Sequence, residues 1–196
     1  GSGPNPDRQE APHVHSVYAF EREKQGDAII YTLDLGLDQI VWYQVTPAAN
    51  VVNGTGGGMT DFPNYVTTFP GAGPRHMIYQ KDLGVAHVLC EMASSIETFQ
   101  VDDSTGALLP GFGFTSTLPD KKLDQGFSKA AELLLSEDGR FLYATNRGSG
   151  KTSNSIAVLQ VDQRSGQVSW AQQYTPSLGS FPRGAYFATP NRLIVG

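Results

Sequence analysis

Apolar residues fall along the chain in short runs rich in β-branched and aromatic side chains, each closed by a polar cluster containing Gly, Asp or Asn. That spacing predicts strands and tight turns, and the runs are too short for amphipathic helices. The runs also repeat. Ile40-Val41-Trp42-Tyr43-Gln44-Val45, Ile96-Glu97-Thr98-Phe99-Gln100-Val101 and Ile156-Ala157-Val158-Leu159-Gln160-Val161 share the form Ile-x-x-(aromatic or Leu)-Gln-Val, with starts 56 and 60 residues apart. The last two copies continue in parallel as Asp102-Asp103-Ser104-Thr105-Gly106-Ala107-Leu108 and Asp162-Gln163-Arg164-Ser165-Gly166-Gln167-Val168. An Asp, polar residues, a Gly and then an apolar residue predict a hairpin into a further strand.

Two more strands precede each copy. The nearer ones are Ile29–Asp34, Val88–Glu91 and Phe141–Arg147; the farther ones are His15–Phe20, Arg75–Tyr79 and Ala130–Leu135. A fourth unit opens at Pro182-Arg183-Gly184-Ala185 and stops inside its second strand, Arg192–Gly196. Each unit therefore holds about four strands, and a repeat of that kind predicts an all-β propeller of four-stranded antiparallel blades. A helical solenoid does not suit the short β-rich runs, and a β-sandwich would not explain the repetition. The predicted blades cover about 13–70, 74–128, 129–180 and, incomplete, 182–196, as one partial domain of about three and a half blades. So few blades leave raw sheet edges. The expectation is that the chain is a fragment whose ring is completed by further blades of a longer protein or by a second copy.

Two insertions interrupt the period. Residues 47–73 carry a glycine run at 54 and 56–58, and residues 111–128 carry Lys121-Lys122. Long loops of a repeat protein often shape a site on one face. The glycine run lacks the Lys-Ser/Thr and following helix of a phosphate loop.

Composition narrows the function classes. Charged residues are 17% of the chain, apolar ones 39%, and the net charge is −5 with no Lys/Arg cluster. Nucleic acid and membrane are therefore not expected as partners. A single cysteine, Cys90, rules out a disulfide within the chain. It points to a buried core residue and a cytoplasmic setting. The sequon Asn53-Gly54-Thr55 is read as chance. No His/Cys/Asp spacing suggests a metal, and no cofactor is expected. Trp42 and Trp170 are read as packing between blades; His76 and His87 carry no functional signal.

The repeat also proposes a site. His15, Arg75 and Arg183 stand at the start of an innermost strand. Asp34, Glu91 and Asn146-Arg147 stand at the end of the next strand. Antiparallel pairing brings those ends together, and radial repetition aims them at one rim of a channel. Charge at the end of an apolar strand is costly unless it is paired or functional. Alternating cations and anions suit a small, anionic, oxygen-rich ligand, and His13 lies on the same rim.

Several motifs carry a family resemblance. Arg8-Gln9-Glu10-Ala11-Pro12-His13-Val14-His15-Ser16, through its Pro-His-x-His-Ser end, and Asp34-Leu35-Gly36-Leu37-Asp38 resemble one blade of the lactonase propeller family. Gly73-Pro74-Arg75-His76, Asp138–Tyr143, Asn146-Arg147-Gly148 and Phe181-Pro182-Arg183-Gly184 resemble its later blades. That family is seven-bladed and includes bacterial-type 6-phosphogluconolactonases and fungal 3-carboxy-cis,cis-muconate cyclases. The resemblance implies a site of one histidine, one glutamate and two arginines at the channel mouth, which match His15, Glu91, Arg75 and Arg147. It implies hydrolysis of a sugar lactone, with lactonising isomerisation or a non-enzymatic binding platform as alternatives. Under the hydrolase reading Arg75 and Arg147, helped by Arg183, His13 and Asp34, bind a phosphate or carboxylate, and Glu91 or His15 moves the proton.

Overall fold

A computed structural model describes residues 2–21, 28–45, 64–119 and 127–196. The glycine run, the sequon and Lys121-Lys122 lie outside the described residues.

The strands form a meander that restarts three times. β1 (Val14–Glu21), β2 (Ala28–Asp34), β3 (Gln39–Val45) and β4 (Asn64–Thr67) make one antiparallel sheet in chain order. β5 (Pro74–Gln80), β6 (Val85–Cys90), β7 (Ser95–Val101) and β8 (Leu108–Ser116) make a second. The third holds β9 (Ser128–Leu135), β10 (Phe141–Gly148), β11 (Ser155–Val161) and β12 (Val168–Pro176), and β13 (Ala185–Thr189) pairs with β14 (Arg192–Val195). The first strands β1, β5, β9 and β13 neighbour one another, as do the outer strands β4, β8 and β12. This is the blade arrangement of a propeller, with first strands around the channel.

Alternation along each strand supplies both faces of a blade. Val88 and Cys90 of β6 join a buried cluster with Tyr31, Leu33, Ile40 and Trp42 of the first sheet. Leu89, between them in sequence, faces the other way and packs with Leu133, Leu142 and Leu159 of the third. The core is thus a set of slabs between blades. Trp42 lies in the first slab, and Trp170 packs against the second.

Local devices recur with the repeat. Asp38, Ser94 and Asn154 each precede the third strand of a blade in the left-handed conformation, with φ of 54, 46 and 60°. Gly106 and Gly166 close equivalent hairpins at φ of 76 and 71°. A Cβ on Gly106 would lie 2.2 Å from Ile29 Cδ1, and one on Gly166 would lie 2.8 Å from Val85 Cγ1. Each hairpin glycine therefore seats against the second strand of the preceding blade, a contact open to no other residue.

Candidate functional site

The channel end of each first strand is irregular in the same way. Val14 faces Asp34 but Ser16 faces Leu33, so His15 is an extra residue in β1. Pro74 faces Cys90 but His76 faces Leu89, so Arg75 is the extra residue in β5. In β9 the shift falls opposite Thr145, at Ala131-Glu132. The N–H groups of Arg183 and Gly184 both donate to the Gly196 carbonyl, the bond pattern of a bulge in the fourth blade. A bulge adds twist and re-aims side chains. Here it turns His15, Arg75 and their neighbours across the gap toward the next blade.

Glu91 is the centre of the cluster. It is 2% exposed, and its backbone links two blades: its N–H donates to Gly73 O at 2.7 Å and its carbonyl accepts from Ala130 N at 2.9 Å. Its Oε2 accepts from Arg75 Nη1 at 2.7 Å and lies 3.3 Å from Arg147 Nη2. Its Oε1 lies 3.9 Å from Arg8 Nε. Arg75 is 4% exposed; its Nε donates to Ala131 O at 2.5 Å and its Nη1 also meets His15 Nε2. Burial lowers the pKa of Arg75, and the Glu91 carboxylate opposes that shift. Burial, and then the Arg75 charge, lowers the pKa of His15, so the imidazole is neutral in neutral water. A guanidinium can only donate, so His15 Nε2 accepts and the ring proton sits on Nδ1. That nitrogen is buried and has no hydrogen-bond partner among the described residues, and the same holds for Arg147 Nε.

The fields of Arg8 and Arg183 reach His15, and that of Arg183 also reaches Arg75, although Arg183 is exposed. Three guanidiniums thus gather about one buried carboxylate, with that of Arg183 in electrostatic reach of Arg75, in a chain of net charge −5. Such a cationic pocket in an acidic molecule concentrates small anions. Among the described residues, no group of three or more His, Cys, Asp or Glu could hold a metal ion. No helix among them is long and apolar enough to cross a membrane.

Of the residues expected at the rim, His15, Arg75, Glu91 and Arg147 come together, and Arg183 stands within electrostatic reach. Asp34 does not join them. Its Oδ1 accepts from His13 N at 2.8 Å and Leu37 N at 3.0 Å, which commits the carboxylate to its own turn. Strand register explains the difference: Asp34, Cys90 and Asn146 hold one position in the three blades, so Leu35, Glu91 and Arg147 hold the next. Asn146 is structural too, bonded to Thr117 through both ends of its amide. The His13 ring lies away from the cluster, against exposed Glu10 at 2.8 Å.

Three site residues escaped the sequence reading. Arg8 sits in the segment before β1, where nothing periodic marks it. That segment is fastened by Gln9, fully buried, whose Nε2 donates to Leu35 O and Asp38 Oδ1, each at 2.8 Å. Gly36 permits the approach, because a Cβ there would lie 1.9 Å from Ala11 O. His76 and Glu132 line the channel wall beside the cluster: the His76 ring meets the His15 ring edge-on at 5.3 Å, and its Nε2 lies 3.8 Å from Glu132 Oε1. A blade-by-blade alignment extended one residue past His15 and Arg75 brings out both.

The whole chain, residues 1–196, matches the family described as lactonase, 7-bladed beta-propeller. It is 29% identical over 187 residues to a 6-phosphogluconolactonase of Bacillus subtilis, covering 95% of this chain and 47% of that one. A solved Lactobacillus plantarum protein superposes with a TM-score of 0.77 at 30% identity, over 100% of this chain and 50% of that one. A periplasmic gluconolactonase of Pseudomonas aeruginosa superposes with a TM-score of 0.74 at 28% identity, over 95% and 47%. The chain spans about half the length of the curated relatives it matches. By its repeat, its blades and these matches, it belongs to the seven-bladed β-propeller lactonase family.

Proposed function

We propose that this chain carries the substrate-binding rim of a sugar-lactone hydrolase, with 6-phosphogluconolactone as the leading substrate. One observation carries the reading: three guanidiniums, those of Arg8, Arg75 and Arg147, surround the buried Glu91 at the channel mouth, with Arg183 in electrostatic reach of Arg75. The name of the Bacillus subtilis relative agrees with it.

The roles follow from how far each group is already engaged. Arg75 is held by Ala131, Glu91 and His15, so it organises the site and offers a fixed positive charge to the oxyanion formed at the lactone carbonyl. Among the described residues the Arg147 guanidinium has one ion pair, to Glu91, and an unpartnered Nε, and with Arg183 it receives the phosphate or carboxylate. Glu91 Oε1, which lies 3.9 Å from Arg8 Nε, takes the proton from the attacking water. His15, its Nε2 lone pair turned to Arg75, steadies that guanidinium. The proton then passes to the ring oxygen as the acyl C–O bond breaks, leaving the open hydroxy acid. His13 and Asp34 act only on the segment that brings Arg8 in. The other half of the ring comes from further blades or a second copy. A cytoplasmic setting remains part of this proposal, although one solved relative is described as periplasmic.

The test is proton release in a pH-stat when fresh 6-phosphogluconolactone meets the 196-residue chain, or any longer protein that contains it. Release above the spontaneous rate, lost in Glu91→Gln, is expected. No release from either form would leave the muconate-type cyclase or a binding platform.

A further inference from the structure

The channel wall beside the arginine cluster holds a second pair of polar groups that the proposed mechanism does not use. His76 and Glu132 occupy the position that Ser16 holds in the first blade. Ser16 is committed, since its hydroxyl donates to Arg75 O at 2.5 Å. The other two are not. His76 Nδ1 lies 3.0 Å from the Tyr18 hydroxyl, and its Nε2 lies 3.8 Å from Glu132 Oε1, beyond hydrogen-bond reach. With a carboxylate on the Nε2 side, the favoured tautomer carries its proton on Nε2, and the Tyr18 hydroxyl donates to Nδ1. Glu132 Oε1 accepts from Leu133 N at 3.1 Å. The side chains are 22% and 25% exposed, so a ligand in the channel can reach both.

We propose that His76 and Glu132 form a hydroxyl-binding subsite that selects polyhydroxylated lactones over lactones without hydroxyl groups. A hydroxyl between them accepts from His76 Nε2–H and donates to Glu132, and the 3.8 Å gap leaves these two side chains without a hydrogen bond to each other until it arrives. The pair does not suit an anion. Burial, with the Arg75 charge second, pushes the pKa of His76 down to about 4, so the ring is neutral in neutral water, and Glu132 brings negative charge or a single proton. The channel therefore divides the substrate: arginines take its anionic end and this pair takes its hydroxylated body. A site built to bond a hydroxyl discriminates against an analogue lacking it, because the analogue displaces water from the pair without replacing its hydrogen bonds. This inference rests on the lactonase reading for its substrate, and it favours a sugar lactone over an unsaturated dicarboxylate lactone.

The test is the ratio of kcat/KM for D-glucono-1,5-lactone to kcat/KM for δ-valerolactone. In Glu132→Leu and in the milder His76→Gln the ratio should fall about tenfold, the loss of roughly one hydrogen bond to a polar partner. Glu132→Gln, which keeps an acceptor, should restore part of it. An unchanged ratio, or both substrates falling together, would overturn the subsite. A parent chain that hydrolyses neither lactone would overturn the lactonase reading instead, and calorimetry would then decide. D-gluconate bound more tightly than hexanoate, with the difference lost in Glu132→Leu, supports the subsite; equal or no binding of the two sinks it.

Discussion

The two ends of the blades use carboxylates in opposite ways. At the hairpin end, Asp138 and Asp162 are exposed, Asp102 is partly exposed, and all three are bonded to residues two or three positions away: Ser136 and Arg140, Arg164 and Ser165, Ser104 and Thr105. At the channel end, Glu91 is buried and answers to Arg75 of its own blade, Arg147 of the next blade and Arg8 of the segment before β1. A carboxylate satisfied by its own turn shapes a local loop and can be lost cheaply. One satisfied by partners far away in sequence depends on how strands and blades pack, and its cations keep donors for a ligand.

The sharpest way to test that contrast is at Glu91. Glu91→Gln keeps the shape and removes the charge, and lactone turnover should fall roughly 10²–10⁴-fold, the usual range for a general base. Glu91→Leu should also lower stability by about 3–5 kcal/mol, read from urea midpoints, because it leaves the buried Arg75 without its counter-charge. Turnover unchanged in Glu91→Gln would sink the assignment of the site.

A smaller effect should come from His87, fully buried in the second blade and bonded to Thr98 Oγ1 at 3.0 Å and Gln80 Oε1 at 2.9 Å. Burial pushes its pKa down from 6.5 to about 4. Between those values the unfolded chain binds a proton that the folded chain refuses, so stability is complete above pH 6.5 and falls as the pH drops toward 4. The full loss is on the order of 3 kcal/mol. Urea midpoints from pH 7 to 4.5 should show it, and His87→Gln should flatten the curve. An unaltered slope in that variant would assign the acid sensitivity to His76 and the channel wall.

Smaller again is Arg183, exposed at the rim of the incomplete blade. Arg183→Met should raise KM for a phosphorylated lactone about tenfold, the worth of one charge-assisted bond, with kcat nearly kept. If kcat fell with KM unchanged, Arg183 would be acting on the transition state instead of on the anion.

How much of this was legible in the sequence follows the same division. Strands, hairpins and the repeat were readable because they depend on alternation and on nearby turn residues, as at Asp102 to Gly106 and Asp162 to Gly166. His15, Arg75, Glu91 and Arg147 were readable because the repeat and the family motifs pointed at them together. The bulges were not. The bulge is the same in β1 and β5, and it is the 56-residue offset of the third strands that sets Asp34 with Cys90 and Leu35 with Glu91. Arg8 was invisible because its position depends on Gln9, Gly36 and Asp38, which act over tens of residues. His76 and Glu132 passed as ordinary strand residues, since only the bulge turns them toward the channel.

The smallest expected effect lies at the hairpin end. Asp138 Oδ1 accepts from the Ser136 hydroxyl at 2.6 Å and Arg140 N at 3.1 Å, and its Oδ2 accepts from Arg140 Nε at 2.8 Å. These bonds, that of Ser136 foremost, hold its pKa down from 3.8 to about 2. The folded turn therefore favours the ionised form. Its contribution is present above the unfolded value and disappears as the pH falls from 3.8 through about 2. Because the group is fully exposed, Asp138→Asn should lower Tm only slightly at pH 7. The difference from the parent chain should shrink in acid, where the parent carboxyl is protonated as well. Lactone turnover should not change, because no contact runs from this turn to the channel mouth among the described residues. A variant that lost activity while keeping its Tm would show the two ends to be coupled, and the division between local and long-range carboxylates would fail at that blade.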